Sequence, residues 1–79
     1  MKVSVISPER VLFDGEASQI VAPAYDGEVG ILPHHAPMMT LLGSGVLRIG
    51  PDGSVGKFNV SGGFLQVLND EVRVVTEKA

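Results

Sequence analysis

The side chains best suited to chemistry lie in one short stretch, residues 26–39, DGEVGILPHHAPMM. It places Asp26 and Glu28 a few positions before the only two histidines of the chain, His34 and His35. Histidine and carboxylate groups are common zinc ligands and common partners in proton transfer. Adjacent histidines on extended backbone point to opposite faces, however, so only one of them could easily reach a given ion. We therefore expect no metal site here. We expect no catalytic acid–base pair either, because nothing in the sequence brings a histidine together with a carboxylate or an activated nucleophile.

The same stretch is stiff, because Pro33 and Pro37 each fix a backbone φ angle. Each proline also pushes the residue before it, Leu32 or Ala36, toward extended geometry. A histidine held between such constraints is presented in few orientations, which lowers the entropy cost of binding. Two interpretations stay open on this basis. The stretch is a pre-ordered contact surface for another protein, or it shapes a corner of a β-sandwich in which His35 hydrogen-bonds locally.

Composition excludes several classes of function. The 79 residues carry a formal net charge of −3 and no cysteine, so disulfides and thiolate metal sites are excluded. The six basic residues are scattered singly, which predicts no surface for nucleic acid or anionic lipid. No apolar run approaches the roughly 20 residues that span a bilayer, so we expect a soluble intracellular chain without direct membrane insertion. With no phosphate-binding loop or activated nucleophile, we expect no cofactor and no small-molecule substrate.

Short strands separated by turns must position these residues. Alternating apolar and polar residues predict strands over residues 2–6, 11–13, 17–22, 46–49, 55–60, 64–68 and 71–76. Turns are predicted at residues 14–15, 26–27, 50–53 and 69–70, and breaks at Pro23 and at Gly62-Gly63. No segment shows a helical period, so we predict a single all-β domain over residues 1–79, a sandwich or flattened barrel. Its predicted core contains Val3, Val5, Ile20, Val46, Ile49, Phe58, Phe64, Val67 and Val74.

Three segments resemble those of one known family. Residues 27–37, GEVGILPHHAP, are similar to the GE(L/V)G(I/V)xPxHxP signature of ATP synthase epsilon subunits. Residues 60–67, VSGGFLQV, resemble the second marker of that family, and residues 7–17, SPERVLFDGEA, resemble its opening. The three motifs occur in the family's order and cover nearly the whole chain. The homologous mitochondrial delta subunit shares them, so the resemblance leaves the source open.

The resemblance implies a ten-stranded β-sandwich in the central stalk of a proton-translocating F-type ATP synthase. Such a domain turns with the rotor without chemistry of its own, links gamma to the loops of the c-ring, and couples proton translocation to ATP synthesis. The implied location is the cytoplasmic face of the bacterial inner membrane, as a peripheral part of the F1 sector. A free-standing β-sandwich module that binds a ligand or peptide is the alternative function.

By position in the matched motifs, Ser7 and His35 face gamma, and Glu28 faces the c-ring. The alternative for Ser7 is a turn cap before Pro8, and the alternative for Glu28 is a solvated turn carboxylate. Structural roles are implied for the remaining motif positions, namely Gly27, Gly30, Pro33, Ala36, Pro37, Ser61, Gly62 and Gly63.

The chain departs from the family pattern in two places. His34 stands where the family usually has glycine, so a loop conformation with positive φ would be strained there. The family typically continues into a C-terminal helical hairpin that inhibits ATP hydrolysis in many bacterial members and binds ATP in some. This sequence ends at Ala79 before any such hairpin, so neither of those two functions is assigned to it.

Overall fold

The computed structural model describes residues 1–78, apart from the side chain of Asp52. Over this range the chain forms one short 3-10 helix, Pro51–Gly53, and eight strands: β1 (Lys2–Ile6), β2 (Val11–Glu16), β3 (Ile20–Ala24), β4 (Gly27–Ile31), β5 (Met38–Leu41), β6 (Ser44–Ile49), β7 (Gly56–Leu68) and β8 (Glu71–Lys78). The predicted all-β fold is confirmed. The expected count of ten strands is wrong, and the last residue of the predicted domain, Ala79, lies outside the described range.

The strands form one hydrogen-bonded sheet in the order β2-β1-β8-β7-β6-β3-β4, and β5 also pairs with β7. All pairs are antiparallel except β1 with β8, which is parallel. The 13-residue β7 takes β6 along its first half and β5 along its second half. It therefore belongs to two layers, a first layer of β2, β1, β8, β7 and β5 and a second layer of β7, β6, β3 and β4.

The inner faces of the two layers enclose one core. Thirteen buried apolar side chains in the described part of the chain form a single cluster with members from opposite ends of the strand order: Val3, Val5, Ile20, Ala22, Ile31, Leu42, Leu47, Ile49, Val60, Leu65, Val67, Val72 and Val74. Residues of β1 and β3 can share a cluster only if the sheet folds over on itself. The chain is thus a β-sandwich, as predicted.

The fold turns at Gly62 and Gly63, where φ is 71° and 105°. The sequence predicts a break here, but β7 continues through both glycines. The side that faces the core changes instead, from Val60 before the glycines to Leu65 after them. A Cβ atom on Gly63 would overlap the Val75 carbonyl oxygen, so only glycine fits this close approach.

This change of side explains an error in the predicted core. Phe64 lies on the outer face of the first layer and is half-buried, whereas its neighbour Leu65 is fully buried. The prediction of Val46 as a core residue is also wrong. Its surface is 38% exposed, because its neighbour Leu47 faces the core on β6. Phe58 packs against the core but is only partly buried. The other predicted core residues are confirmed: Val3, Val5, Ile20, Ile49, Val67 and Val74.

One predicted turn and one predicted break are also wrong. Asp14-Gly15 lies inside β2, opposite Ser4 and Val3 of β1. Pro23 lies inside β3, opposite Glu28, and does not end the strand. Its carbonyl oxygen accepts the Gly43 N–H at 2.8 Å, so its amide side points away from β4 and the missing N–H removes no bond to that strand. The β6–β7 hairpin and the turn at Asn69-Asp70 are confirmed.

Candidate protein-contact surface

The predicted stiff loop is shorter than expected, because its first part is strand β4 (Gly27–Ile31). The connection from β4 to β5, residues 32–37, is hereafter the histidine loop. Within it the ring Nδ1 of His35 lies 2.7 Å from the Ala36 carbonyl oxygen. Since a carbonyl only accepts, Nδ1 is the donor of this bond and Nε2 takes no part in it. His35 thus makes the local hydrogen bond that the second interpretation expected, and keeps one nitrogen for another partner.

His34 adopts the left-handed conformation, with φ of 64°, which is the positive φ considered for this position in the sequence. Its backbone N–H donates to Asp70 Oδ1 at 2.8 Å, across 36 positions of sequence. This bond is the main reason why the pKa of Asp70 lies below its ordinary value of 3.8. Partial burial opposes the shift, and the positive charges of the Met1 ammonium, 3.9 Å from Oδ2, and of the His34 ring reinforce it.

Ser7 closes the turn between β1 and β2. Its backbone N–H and its hydroxyl both donate to the Arg10 carbonyl oxygen, at 2.9 and 3.2 Å. Lys2, at the other end of β1, donates its N–H to the Asp70 carbonyl oxygen, next to the histidine loop. At about 3.3 Å per residue, Ser7 therefore lies roughly 16 Å from that end of the first layer. The structure does not bring Ser7 and His35 together.

Glu28 is a strand residue on the outer face of the second layer, not a turn carboxylate. Its Oε1 lies 3.2 Å from Nη2 of Arg48 on β6. Both side chains contact solvent, with 56% and 33% of their surfaces exposed, so the pair adds about 0–1 kcal/mol at most. A basic group on a partner could displace Arg48 at small cost.

The remaining motif residues lie in different environments. Pro33, Ala36 and Pro37 are exposed in the histidine loop. Ser61 shares a hydrogen bond with the Ser44 hydroxyl at 2.9 Å. At Gly30 a Cβ atom would meet no other atom within 4 Å, so packing within the chain does not require glycine there.

Sequence reasoning missed a line of apolar side chains on the outer face of the first layer. In spatial order it consists of Val11, Ile6, Val75, Phe64 and Leu41, one residue from each of five neighbouring strands. Directly opposite residues in a sheet stand about 4.5–5.5 Å apart, so Ile6, Val75, Phe64 and Leu41 form a continuous outer apolar row. Val11 extends this row across an irregularity in the pairing of β1 with β2.

The row is open to solvent at both ends, where Val11 and Leu41 are 63% and 62% exposed. Met39, beside Leu41 on the same face of β5, is 64% exposed. Contiguous exposed apolar side chains are typical of surfaces that contact other molecules. Alternation within each strand could have shown that each of these side chains faces outward. It could not have shown that they are neighbours, because the order of the strands in the sheet cannot be read from the sequence of any one strand.

Two further features of the described residues bear on other functions. Among the side chains that the structure describes, no three of histidine, aspartate or glutamate come close enough to hold a metal ion together. No helix in residues 1–78 is long and apolar enough to cross a membrane.

Comparison with known proteins identifies the family. The sequence matches the family described as "ATP synthase, Delta/Epsilon chain, beta-sandwich domain" over residues 1–79. The ATP synthase epsilon chain of Desulforamulus reducens is 44% identical over 78 residues, which cover 99% of this chain and 59% of that relative. The epsilon chain of Carboxydothermus hydrogenoformans is 43% identical over 79 residues, which cover 100% of this chain and 59% of that relative. The chain thus spans about three fifths of the length of these relatives.

Solved structures share the fold. The central stalk and c-ring of Tetrahymena thermophila mitochondrial ATP synthase contain a chain with a TM-score of 0.80 and 21% identity, covering 99% of this chain and 63% of that one. The Euglena gracilis mitochondrial ATP synthase, solved as OSCP, F1 and c-ring in rotational state 1, also contains a similar chain. Its TM-score is 0.80 and its sequence identity is 24%, and the match covers 94% of this chain and 48% of that one. Together with the sequence match along its whole length, this architecture shows that the chain belongs to the β-sandwich domain family of ATP synthase delta and epsilon chains.

Proposed function

We propose that the domain is a non-catalytic rotor part of an F-type ATP synthase, which links gamma to the c-ring loops in the central stalk and so couples proton translocation to ATP synthesis. The observation that carries this proposal is the outer apolar row, a surface made for contact, on a chain of the epsilon family. The polar groups of the site are engaged in a turn, an ion pair and a loop contact, which suits docking better than catalysis.

The gamma-facing surface is proposed to run along the outer face of the first layer. Ser7 directly follows Ile6 at one side of the outer apolar row, and the histidine loop leads into the strand that carries Met39 and Leu41 at the other. A partner that covers the row would therefore meet Ser7 and the loop of His35 at its margins. Burying apolar surface contributes about 25 cal/mol per Å2 before the costs of association, so the row would supply most of the affinity.

The c-ring contact is proposed for Glu28, on the outer face of the other layer. Its separation from the outer apolar row lets gamma and the c-ring bind without competing for one surface. Glu28 holds Arg48 in a solvated ion pair, so an incoming basic group would exchange partners with it. We place the complex at the cytoplasmic face of the bacterial inner membrane, peripheral to it, and the bacterial relatives support a bacterial source.

The test is binding of gamma to Leu41→Gln and to Val55→Gln. Leu41 lies in the row and is 62% exposed, whereas Val55 lies in the β6–β7 connection and is 50% exposed. Each substitution exchanges one exposed apolar side chain for glutamine, so neither should unfold the domain. We expect Leu41→Gln to weaken gamma binding at least tenfold and Val55→Gln to leave it unchanged, by surface plasmon resonance. Equal affinities for the two variants would rule out the row as the gamma surface.

A further inference from the structure

We propose that Asp70 is a positioning residue whose carboxylate holds His34 in its left-handed conformation and thereby sets the direction in which the histidine loop presents His35. The inference deepens the proposed function, because it rests on His35 as a contact with gamma. Its basis is a single hydrogen bond between two segments that are far apart in sequence.

The conformation of His34 needs an external support. Residues with a Cβ atom rarely adopt positive φ, and His34 has φ of 64°. Its N–H donates to Asp70 Oδ1 at 2.8 Å, a short bond to an ionised acceptor. Because this conformation aligns the N–H with the carboxylate, the bond offsets the backbone strain where glycine would have none.

Asp70 is itself held firmly. It forms, with Asn69, the two-residue turn that joins β7 to β8, and both have positive φ, 52° and 59°. This is the type I′ geometry that fits the twist of a hairpin. The Asp70 carbonyl oxygen also accepts the Lys2 N–H at 3.1 Å, which ties the turn to β1. The carboxylate therefore projects from a point fixed by three strands.

The bond supplies the constraint that the loop otherwise lacks. Pro33 and Pro37 fix their own φ angles but not those of the residues between them. With His34 also fixed, His35 has little backbone freedom left, and the contact of its Nδ1 with the Ala36 carbonyl oxygen orients its ring. The free Nε2 is then presented in one direction.

Three variants separate this role from a general effect on the turn. Asp70→Gly keeps the positive φ of the turn but removes the acceptor, whereas Asp70→Asn keeps both. Asp70→Gly combined with His34→Gly removes the acceptor and the strain together. The first measurement is amide hydrogen exchange by NMR in the 79-residue chain, with Val74 in the core as the control for global stability.

We expect Asp70→Gly to speed exchange of the His34 amide at least tenfold relative to Val74 and to shift the His35 ring signals. Asp70→Asn should leave both within about twofold of the wild type. Unchanged His34 exchange in Asp70→Gly would overturn the proposal, whatever the variants do to binding.

The second measurement is gamma affinity of the same variants beside His35→Ala. We expect Asp70→Gly to bind severalfold more weakly and the double glycine variant to recover part of the loss, since glycine adopts positive φ without strain. No recovery, with Asp70→Asn as weak as Asp70→Gly, would overturn the positioning role. A third outcome is that Asp70→Gly loosens the loop, but Asp70→Gly and His35→Ala both bind gamma with normal affinity. In that case Asp70 positions the loop as proposed, and the proposed contact of His35 with gamma is wrong.

Discussion

Gly63 illustrates how one backbone position decides a residue type. Its φ of 105° and the closeness of β8 leave no room for a side chain, since a Cβ atom would overlap the Val75 carbonyl oxygen and lie 2.9 Å from the Thr76 Cα. At this scale a residue is constrained by the atoms that meet it, not by its own propensity. His34 is the complementary case, where a residue unsuited to its φ angle is held by a bond from elsewhere.

Gly63→Ala should destabilise the domain by about 3 kcal/mol, because it combines backbone strain with a clash against backbone atoms that cannot move aside cheaply. Gly30→Ala is the matched control, since its Cβ atom would meet open space. We expect that control to change the free energy of unfolding by no more than about 0.5–1 kcal/mol. Urea denaturation followed by circular dichroism measures both, and equal midpoints for the two variants would contradict the close approach of β7 and β8.

The lowered pKa of Asp70 predicts that the domain loses stability in acid. Its pKa is lowered in the folded state, so the carboxylate contributes stability that is fully present above the unfolded value of 3.8 and is lost as pH falls through the folded pKa. Stability should therefore fall more steeply below pH 4 in the wild type than in Asp70→Asn, whose amide does not titrate. Urea midpoints measured from pH 5 to pH 2 test this, and parallel curves for the two proteins would show that Asp70 is not stabilised by the fold.

At the scale of elements, β7 determines the architecture. Its first half pairs with β6 and its second half with β5, and the glycines between them turn the opposite side of the strand toward the core. The same change sends Phe64 outward to join Leu41 and Val75 in the outer apolar row. One bend thus closes the core and creates the outer apolar row that we propose as the contact surface.

The bend predicts that truncating Leu65 destabilises the domain more than truncating the larger Phe64. Leu65→Ala should cost about 2–5 kcal/mol, since Leu65 is fully buried, while Phe64→Ala should cost only about 1 kcal/mol on the half-buried outer face. Phe64→Ala should instead weaken gamma binding. Thermal and urea unfolding of the two variants measure the difference, and a larger loss of stability for Phe64→Ala would mean that the side facing the core had been assigned wrongly.

At the scale of the whole molecule, the two layers place different chemistry on opposite outer faces. The first layer carries the outer apolar row, and the second carries the ion pair of Glu28 with Arg48. Both faces rest on the same core of thirteen side chains in residues 1–78, so neither layer is expected to fold alone. This arrangement suits a small domain proposed to be held between two partners.

Glu28→Gln should reduce the coupling of ATP hydrolysis to proton pumping modestly in the reconstituted enzyme, and more strongly at low salt, because a rim charge acts mainly through screened attraction. Arg48→Gln is the control, since it breaks the same internal ion pair but keeps the carboxylate. We expect coupling to be maintained or improved in that control. Equal losses in the two variants would show that the ion pair itself, and not a contact with the c-ring, is what matters.

What the sequence determined by itself was local. Glycine, proline and asparagine at tight turns and alternation within single strands predicted the all-β class, β1, the β6–β7 hairpin and the turn at Asn69-Asp70, because the energies that favour them act between near neighbours. The motifs also identified the family.

Only the tertiary structure decided which strands lie side by side, apart from those joined by a predicted turn. Alternation shows that neighbouring residues face opposite ways, but it carries no information about the strand beside them, and a shift of one residue reverses every face. The change of side at Gly62-Gly63, the five-strand outer apolar row and the Glu28–Arg48 pair all depend on such pairing. The bond from His34 to Asp70 does so too, because it joins residues 36 positions apart that meet only once β1, β7 and β8 have assembled.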